Sequence, residues 1–259
     1  MDGLILAAGF GSRLRDLFPS KPLATINGVS LLGIALRQLA SAGVARAVVV
    51  TGYNAEAVEV AVGGMRSRLD LDVITVRVED WEKPNGFSVM AGASYLPGNY
   101  LLVMCDHLLS SCILRGLAGA DDGGRDVTLG IDRRIISPLI DPDDATWVER
   151  GANGFINRIG KDLTQYDAVD CGAFLATPAL AGAIGKAIGQ GKQGSLSDGM
   201  QLLADCGRAA TLDIGDAWWM DVDDPAAHAQ AQGLLDEGFS LLGNDAADWV
   251  RCRELNVQP

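Results

Sequence analysis

The sequence contains no run of eighteen apolar residues, so nothing in it has the length of a membrane-spanning helix. The N-terminus also lacks a basic region ahead of an apolar stretch: Asp2 is acidic and a turn is signalled by Gly9, which argues against a secretory signal. Cysteine is sparse and unpatterned. Cys105, Cys112, Cys171, Cys206 and Cys252 are an odd set without a Cys-x-x-Cys pair, and only two histidines accompany them, so neither a disulfide framework nor a zinc site is indicated. They read as small buried hydrophobes. Cations are in deficit, 21 Lys and Arg against 33 Asp and Glu, and a net charge of -12 argues against general nucleic-acid binding. No internal repeat and no Pro- or Ser-rich linker divides the chain. These absences together lead us to expect a soluble, cytoplasmic protein.

What is present is enough apolar material for a full core: 48% of 259 residues. In the first half, the apolar runs GLILAA, RAVVVTG, DVITVRV and YLLVMCD alternate with stretches of helical period, LLGIALRQLASAG, NAEAVEVAVGG and NGFSVMAGASYL. That alternation predicts an α/β fold, a Rossmann-like and mostly parallel sheet flanked by helices. Ser30 is placed to cap the first helix and Gly43 to stop it. The second half differs. VTLGID, TWVER and GFINRIGK read as short, polar-edged strands of a small antiparallel extension, and DCGAFLAT as a buried strand. Helices are expected near 178–189 and over SLSDGMQLLADC, with GQGKQG (189–194) as a flexible loop. AATLDIG and WWMDV are expected as strands, and DDPAAHAQAQGLLDEG as a helix capped by Asp224 with Pro225 in its first turn. Residues 1–240 are expected to form one domain and 241–259 a helical tail.

The segment LAAGFGSRLRDLFPSKPL (residues 6–23) follows directly on the first strand. Its Gly9-Phe10-Gly11 core places backbone N–H groups where a phosphate could sit. It is not a dinucleotide fingerprint, because Leu14 stands where the third glycine belongs and no acid follows about twenty residues on. Nor is it a Walker cradle, since no Gly-Lys-Ser/Thr follows. The small residues Ala7, Ala8, Gly9, Gly11 and Ser12 would let the main chain approach a ligand while Arg13 and Lys21 reach its charges. With Arg15 these cations form a basic spot on an acidic protein. Elsewhere, Asp106 ends an apolar strand and would emerge at the carboxyl edge of the sheet, where a hard oxygen ligand suits Mg²⁺. In WWMDVDD, Asp221 and Asp223 are expected to be divided between the two faces of a strand, so that only one meets that metal. An Asp at a strand end can equally be a helix cap, and a glycine turn can be only a turn.

LAAGFGSRL with the following KPL resembles the nucleoside-triphosphate transferases that activate sugar phosphates and related alcohol phosphates. WEKPNGFSVMAGASYL, LLVMCDHLLS, INRIGKDL, VDCGAF and WWMDVDDP are most similar, within that superfamily, to the CTP:inositol-1-phosphate cytidylyltransferases. The resemblance spans residues 3 to about 235. It implies a nucleotide-diphospho-sugar transferase fold and a Mg²⁺-dependent cytidylyltransferase that moves CMP from CTP to a phosphate monoester, in phospholipid biosynthesis.

By that resemblance Arg13 and Lys21 clamp the triphosphate, and Asn85, Gly86 and Ser88 hold the cytosine, with Pro84 where the family often has glycine. Asp106 carries the metal together with Asp223 in preference to Asp221, and Asp224 replaces the usual Thr. Lys161 holds the acceptor's phosphate and Asp170 lies near its hydroxyls. An attacking phosphate is already an anion, so no general base is required. The expected partners are therefore CTP and a phosphorylated alcohol, with inositol-1-phosphate favoured over phosphocholine and sugar-1-phosphates. Relatives often carry a fused membrane phosphotransferase, so here a separate membrane enzyme is expected to use the product, with no direct membrane insertion of this chain. His107 is a weak candidate beside the metal acid, His228 is expected at the ordinary surface, and Trp218 and Trp219 are assigned to packing. A nucleotide-binding regulator and a nicotinamide oxidoreductase are the rival readings. The retained set of charged residues counts against the first, and the missing fingerprint against the second.

Overall fold

The computed structural model describes residues 1–66, 69–120 and 123–236. The tail expected over 241–259, the last residues of the expected domain and Cys252 lie outside the described residues. No helix among the described residues is long and apolar enough to cross a membrane.

In chain order the elements begin with β1 (Asp2–Ala7), the small hairpin β2 (Thr25–Ile26) and β3 (Val29–Ser30), α1 (Leu31–Ser41), β4 (Arg46–Thr51), α2 (Ala55–Arg66) and β5 (Asp72–Arg77). Next come α3 (Asn85–Ala93), β6 (Tyr100–Met104), β7 (His107–Leu109), α4 (Ser111–Ala118), β8 (Val127–Asp132), β9 (Trp147–Arg150) and β10 (Ile156–Gly160). The remainder is β11 (Ala168–Ala176), α5 (Ala179–Gly189), α6 (Leu196–Asp205), β12 (Ala209–Asp213), β13 (Trp219–Asp221) and α7 (Pro225–Asp236).

Among the described residues nine strands form one sheet. Its first half, β5-β4-β1-β6, is parallel, and β11 then joins β6 antiparallel. Successive residues of the central strands serve opposite faces: Ile5 and Val49 pack under α1, α2 and α4, whereas Leu4, Val48 and Val50 pack under α3, α5 and α6. Burial on both faces is why these strands read as continuous apolar runs. Ser30 caps α1 by accepting from Gly33 N at 3.1 Å, and Gly43 follows the helix at φ 82°. Asp224 caps α7 through Ala227 N at 2.8 Å, as its sequence predicts.

Two differences from the sequence reading matter. VTLGID is no polar-edged strand: β8 is buried along its whole length, because β11 lies on one side of it and β12, parallel, on the other. The exposed rim of the extension is supplied by β10. Cys206 is exposed at the end of α6, while Cys105 and Cys171 are buried as expected.

The site owes its place to a change of partner along β11. Residues 173–176 pair with β6, whereas Ala168 and Val169 pair with β9 on that same side, β8 occupying the other side throughout. The register shifts between Asp170 and Phe174, where Gly172 adopts φ 74°. β6 ends just there, at Met104, so the sheet opens beside Asp106.

Candidate functional site

Two cavities meet at Asp106. The first is walled by the opening loop, with Ala7, Gly9, Gly11, Ser12, Arg13 and Lys21 facing it. Ala8 faces the other way, into the core, and its carbonyl accepts from Tyr53 N at 2.9 Å. Gly11 is required twice over. It sits at φ 62°, and a Cβ there would lie 2.5 Å from Lys21 Cβ. Gly9 has nothing within 4 Å of the place its Cβ would occupy, so the cavity reaches the bare main chain. Leu14, the residue that spoils the dinucleotide fingerprint, is fully buried with Ala24, Ile26 and Leu108 and pins the loop to the protein.

The second cavity is lined by Asn85, Asp106, His107, Lys161, Asp170 and Asp221, with the 139–146 segment along one wall. Asn85 is not the cap of its own helix. Its Oδ1 accepts from Leu196 N at 2.8 Å and so fixes the start of α6 against α3. Gly86 and Ser88 are buried, and the close approach Gly86 permits is to the chain itself: a Cβ there would lie 2.2 Å from the Gly194 carbonyl oxygen.

At the junction the charges interlock. Lys21, with 9% of its side chain exposed, places Nζ 2.5 Å from Asp106 Oδ2, hydrogen-bonds Asp223 and lies 3.9 Å from Asp221. Arg13 Nη2 reaches Asp223 at 2.6 Å and also Asp144, and Nη1 lies 3.4 Å from Asp141. Lys161 binds the other oxygen of Asp144. Both cavities are therefore crossed by charge-assisted bonds. The loop is no free basic spot: Arg13 and Lys21 are neutralised by acids, and Arg15 turns away to lie 4.6 Å above the Phe10 ring.

The expected division of Asp221 and Asp223 between two faces is corrected: residues two apart in an extended chain share a face. Val222 N donates to the Asp106 carbonyl at 3.0 Å, so the pairing of β13 carries on past Asp221, and both carboxylates reach Lys21. His107 is more than a bystander. Its Nδ1 lies 2.9 Å from Asp106 Oδ1, its ring stacks on Trp219 at 5.8 Å, and Gly172 leaves it room, since a Cβ there would be 2.3 Å from its Cδ2. Trp219 is in turn fixed by Nε1 donating to Asp132 at 3.0 Å, so its role goes beyond packing. His228 is half-buried, not at the ordinary surface: its ring nitrogen meets the Thr25 carbonyl at 2.9 Å.

These contacts set the protonation states. Burial works against the charge on Lys21, but Asp106 and Asp221 hold its pKa above the ordinary value. Burial likewise opposes ionisation of Asp106, and Lys21 and His107 overcome it, leaving the carboxyl well below the usual range. His107 is pushed up to about 9 against its own burial by Asp221, Asp106 and Asp170, so it is cationic at neutral pH. Burial raises Asp170 to about 6 and also raises Asp221.

Asp221 Oδ1 is buried with no hydrogen-bond partner among the described residues. It belongs to two sets of donors, Asp106 with His107 and Asp144 with Asp223, in each of which the ligand atoms lie within 4.8 Å of one another. An orphaned carboxylate oxygen amid further carboxylates fits a hard divalent cation. Asp144 and Asp141 had no signal in the sequence beyond an acidic run, DPDDAT, in a loop. What recruits them is contact with Arg13 over more than a hundred residues of chain separation.

The chain resembles known proteins in sequence and in fold. The chain is 34% identical to a bifunctional IPC transferase and DIPP synthase of Rubrobacter xylanophilus over 93% of its own length and 53% of the relative's. It is 28% identical to the protein of the same description from Aquifex aeolicus, over 90% and 51%. The chain thus spans about half the length of these curated relatives. In three dimensions it resembles the inositol-1-phosphate CTP transferase from T. maritima, with a TM-score of 0.77 and 25% identity over 92% of this chain and 97% of that one. A UDP-glucose pyrophosphorylase complexed with UDP-glucose shares the fold, with a TM-score of 0.76 and 16% identity over 92% and 99%. Residues 3–149, comprising the opening loop, the parallel half of the sheet and Asp106, match the MobA-like NTP transferase domain, and to that family the chain belongs.

Proposed function

We propose that this chain transfers CMP from CTP to a phosphate monoester, with inositol-1-phosphate as the acceptor, giving CDP-inositol and pyrophosphate. The observation that carries the reading is the meeting of two cavities at Asp106, each with its own cation: Arg13 and Lys21 on one side, Lys161 on the other. A reaction between two polyanions needs such an arrangement, because the obstacle to bringing them together is electrostatic.

Gly9, Gly11 and Ser12 give the triphosphate a main-chain floor, while Arg13 and Lys21 exchange their carboxylate partners for its oxygens. Lys161 holds the acceptor phosphate, and Asp170, held on Gly172 N at 2.7 Å, is positioned to accept from an acceptor hydroxyl. The nucleophile is a phosphate oxygen, already anionic near neutral pH, so no side chain has to remove a proton. Asp106, Asp221 and Asp223 are the residues that would hold Mg²⁺, and the Asp221 oxygen without a hydrogen-bond partner is the donor most open to it. Bound there, Mg²⁺ supplies charge neutralisation and orientation of phosphate oxygens. Of residues 85–88, Asn85 lines the cavity of Lys161, so a base that it contacts lies in the same cavity as the acceptor. The product is a substrate for a membrane phosphotransferase.

Sugar-1-phosphate activation is the second reading, favoured by the shared fold of the UDP-glucose pyrophosphorylase. The deciding experiment is a pyrophosphate-release assay that crosses CTP, UTP, ATP and GTP with inositol-1-phosphate, phosphocholine, glycerol phosphate and glucose-1-phosphate. CTP with inositol-1-phosphate should give the highest kcat/KM. Preference for UTP or for glucose-1-phosphate moves the chain to the second reading.

A further inference from the structure

The acid that ties the two cavities together is Asp144, in the segment 133–146 between β8 and β9. Its Oδ2 accepts from Arg13 Nη2 and its Oδ1 from Lys161 Nζ. One carboxylate thus holds the cation of the triphosphate cavity and the cation of the acceptor cavity, and two charge-assisted bonds of about 2.8 Å across it keep them within roughly 8 Å. Burial works against ionisation of this carboxyl, and the bonds from Lys161 and Arg13 override it, holding the pKa below the ordinary value. The same segment walls the acceptor cavity with Leu139, Ile140, Ala145 and Thr146. Arg13 and Lys161 are 42% and 58% exposed, so these bonds contribute little to stability. A contact of that kind is one that an arriving ligand can displace.

We infer that Asp144 is a positioning residue that couples the two substrate subsites, its carboxylate standing in the place of a phosphate for Arg13 and Lys161 at once. The inference rests on the transferase reading above. Carboxylate and phosphate oxygens are equivalent acceptors for a guanidinium or an ammonium. A phosphate on Arg13 needs the position of Oδ2, and a rigid carboxylate that yields by the width of a phosphate cannot keep Oδ1 on Lys161. The first anion to bind therefore frees both cations. The second meets an unblocked partner and does not bear the cost of displacement. Such coupling is reciprocal: each substrate tightens the other by the same factor.

The test is isothermal calorimetry on the full chain with metal ions removed, so that no turnover intervenes. CTP is titrated with and without saturating inorganic phosphate, the phosphate serving as the simplest occupant of the Lys161 subsite. For the wild type, phosphate should tighten CTP about fivefold or more. In Asp144→Asn each ligand alone should bind more tightly than to the wild type, and the coupling factor should fall to one or below. Asp144→Ser should do the same, which guards against a fault peculiar to one variant. A coupling factor in both variants equal to that of the wild type, weaker binding of each ligand alone, or a wild type without coupling would overturn the role of Asp144 and leave the transferase reading standing. A wild-type chain that binds CTP neither in this metal-free titration nor with Mg²⁺ added would overturn the transferase reading first, and this inference with it.

Discussion

Gly11 and Lys21 share a space that only one side chain can fill. A Cβ on Gly11 would lie 2.5 Å from Lys21 Cβ, and the backbone there is at φ 62°. The lysine is thus placed by the absence of a side chain ten residues earlier. We expect Gly11→Ala to cost about 1–2 kcal/mol in strain and to lower kcat/KM for CTP at least about tenfold as Lys21 is pushed aside. Thermal melts and steady-state kinetics read the two effects separately. Unchanged kinetics would mean that Lys21 does not act from this position.

Lys21 is itself the next point of attack. Lys21→Ala should lower turnover by roughly 10²- to 10³-fold, the loss associated with one preorganised charge contact. Arg13→Ala should have an effect of the same order, mainly on CTP. Near-normal turnover in both variants would remove the triphosphate clamp from the account.

Asp106 joins Lys21 and His107 through its two oxygens. Asp106→Asn keeps the shape of the side chain and removes its charge. The far-ultraviolet circular dichroism should be unchanged, while Mg²⁺-dependent pyrophosphate release is lost. If the metal dependence of Asp106→Asn matched the wild type, the cation would have to bind elsewhere.

Asp170 supplies the pH test. Burial raises its pKa to about 6, so the folded protein holds this proton more tightly than the unfolded chain does. Between about pH 4 and pH 6 its contribution to stability therefore falls as pH rises, and above that range the ionised carboxylate carries its full cost. Asp170→Asn should match the wild type in urea unfolding near about pH 4 and exceed it near about pH 8 by up to about 3 kcal/mol. A difference that does not change with pH would show that this carboxyl is not strained by burial.

The start of α6 tests the scaffold. Ser195 and Asp198 form a reciprocal capping box, with Asp198 N donating to Ser195 Oγ at 3.1 Å and Ser195 N to Asp198 Oδ2 at 2.9 Å. Ser195→Ala should cost about 1 kcal/mol of stability, read as a lowered urea midpoint with an unchanged slope.

The sequence made legible what is decided locally. Ser30, Gly43 and Asp224 carry their capping chemistry within three residues of the helix ends they serve, and the parallel strands announce their burial by unbroken apolar runs. Arg13, Lys21 and Asp106 could be grouped because a loop after β1 and the end of β6 must share the carboxyl edge of a parallel sheet. Most of the failures are cases where a distant partner decides. Asp221 and Asp223 are a different case: period two by itself puts residues two apart on one face, and both carboxylates meet Lys21. Gly86 reads as a glycine for a ligand until Gly194 is seen to occupy the space beside it. Asp144 carries no local signal, since its importance arises only when the 133–146 segment meets Arg13 and Lys161.

The central claim is that one anionic phosphate attacks the α-phosphorus of CTP at Asp106. ³¹P nuclear magnetic resonance of the wild-type chain with CTP, inositol-1-phosphate and Mg²⁺ tests it most directly. The account predicts that the inositol-1-phosphate signal disappears as a pair of coupled diphosphate resonances and pyrophosphate grow in equal amounts. Inorganic phosphate from hydrolysis of CTP, with inositol-1-phosphate left intact, would contradict it.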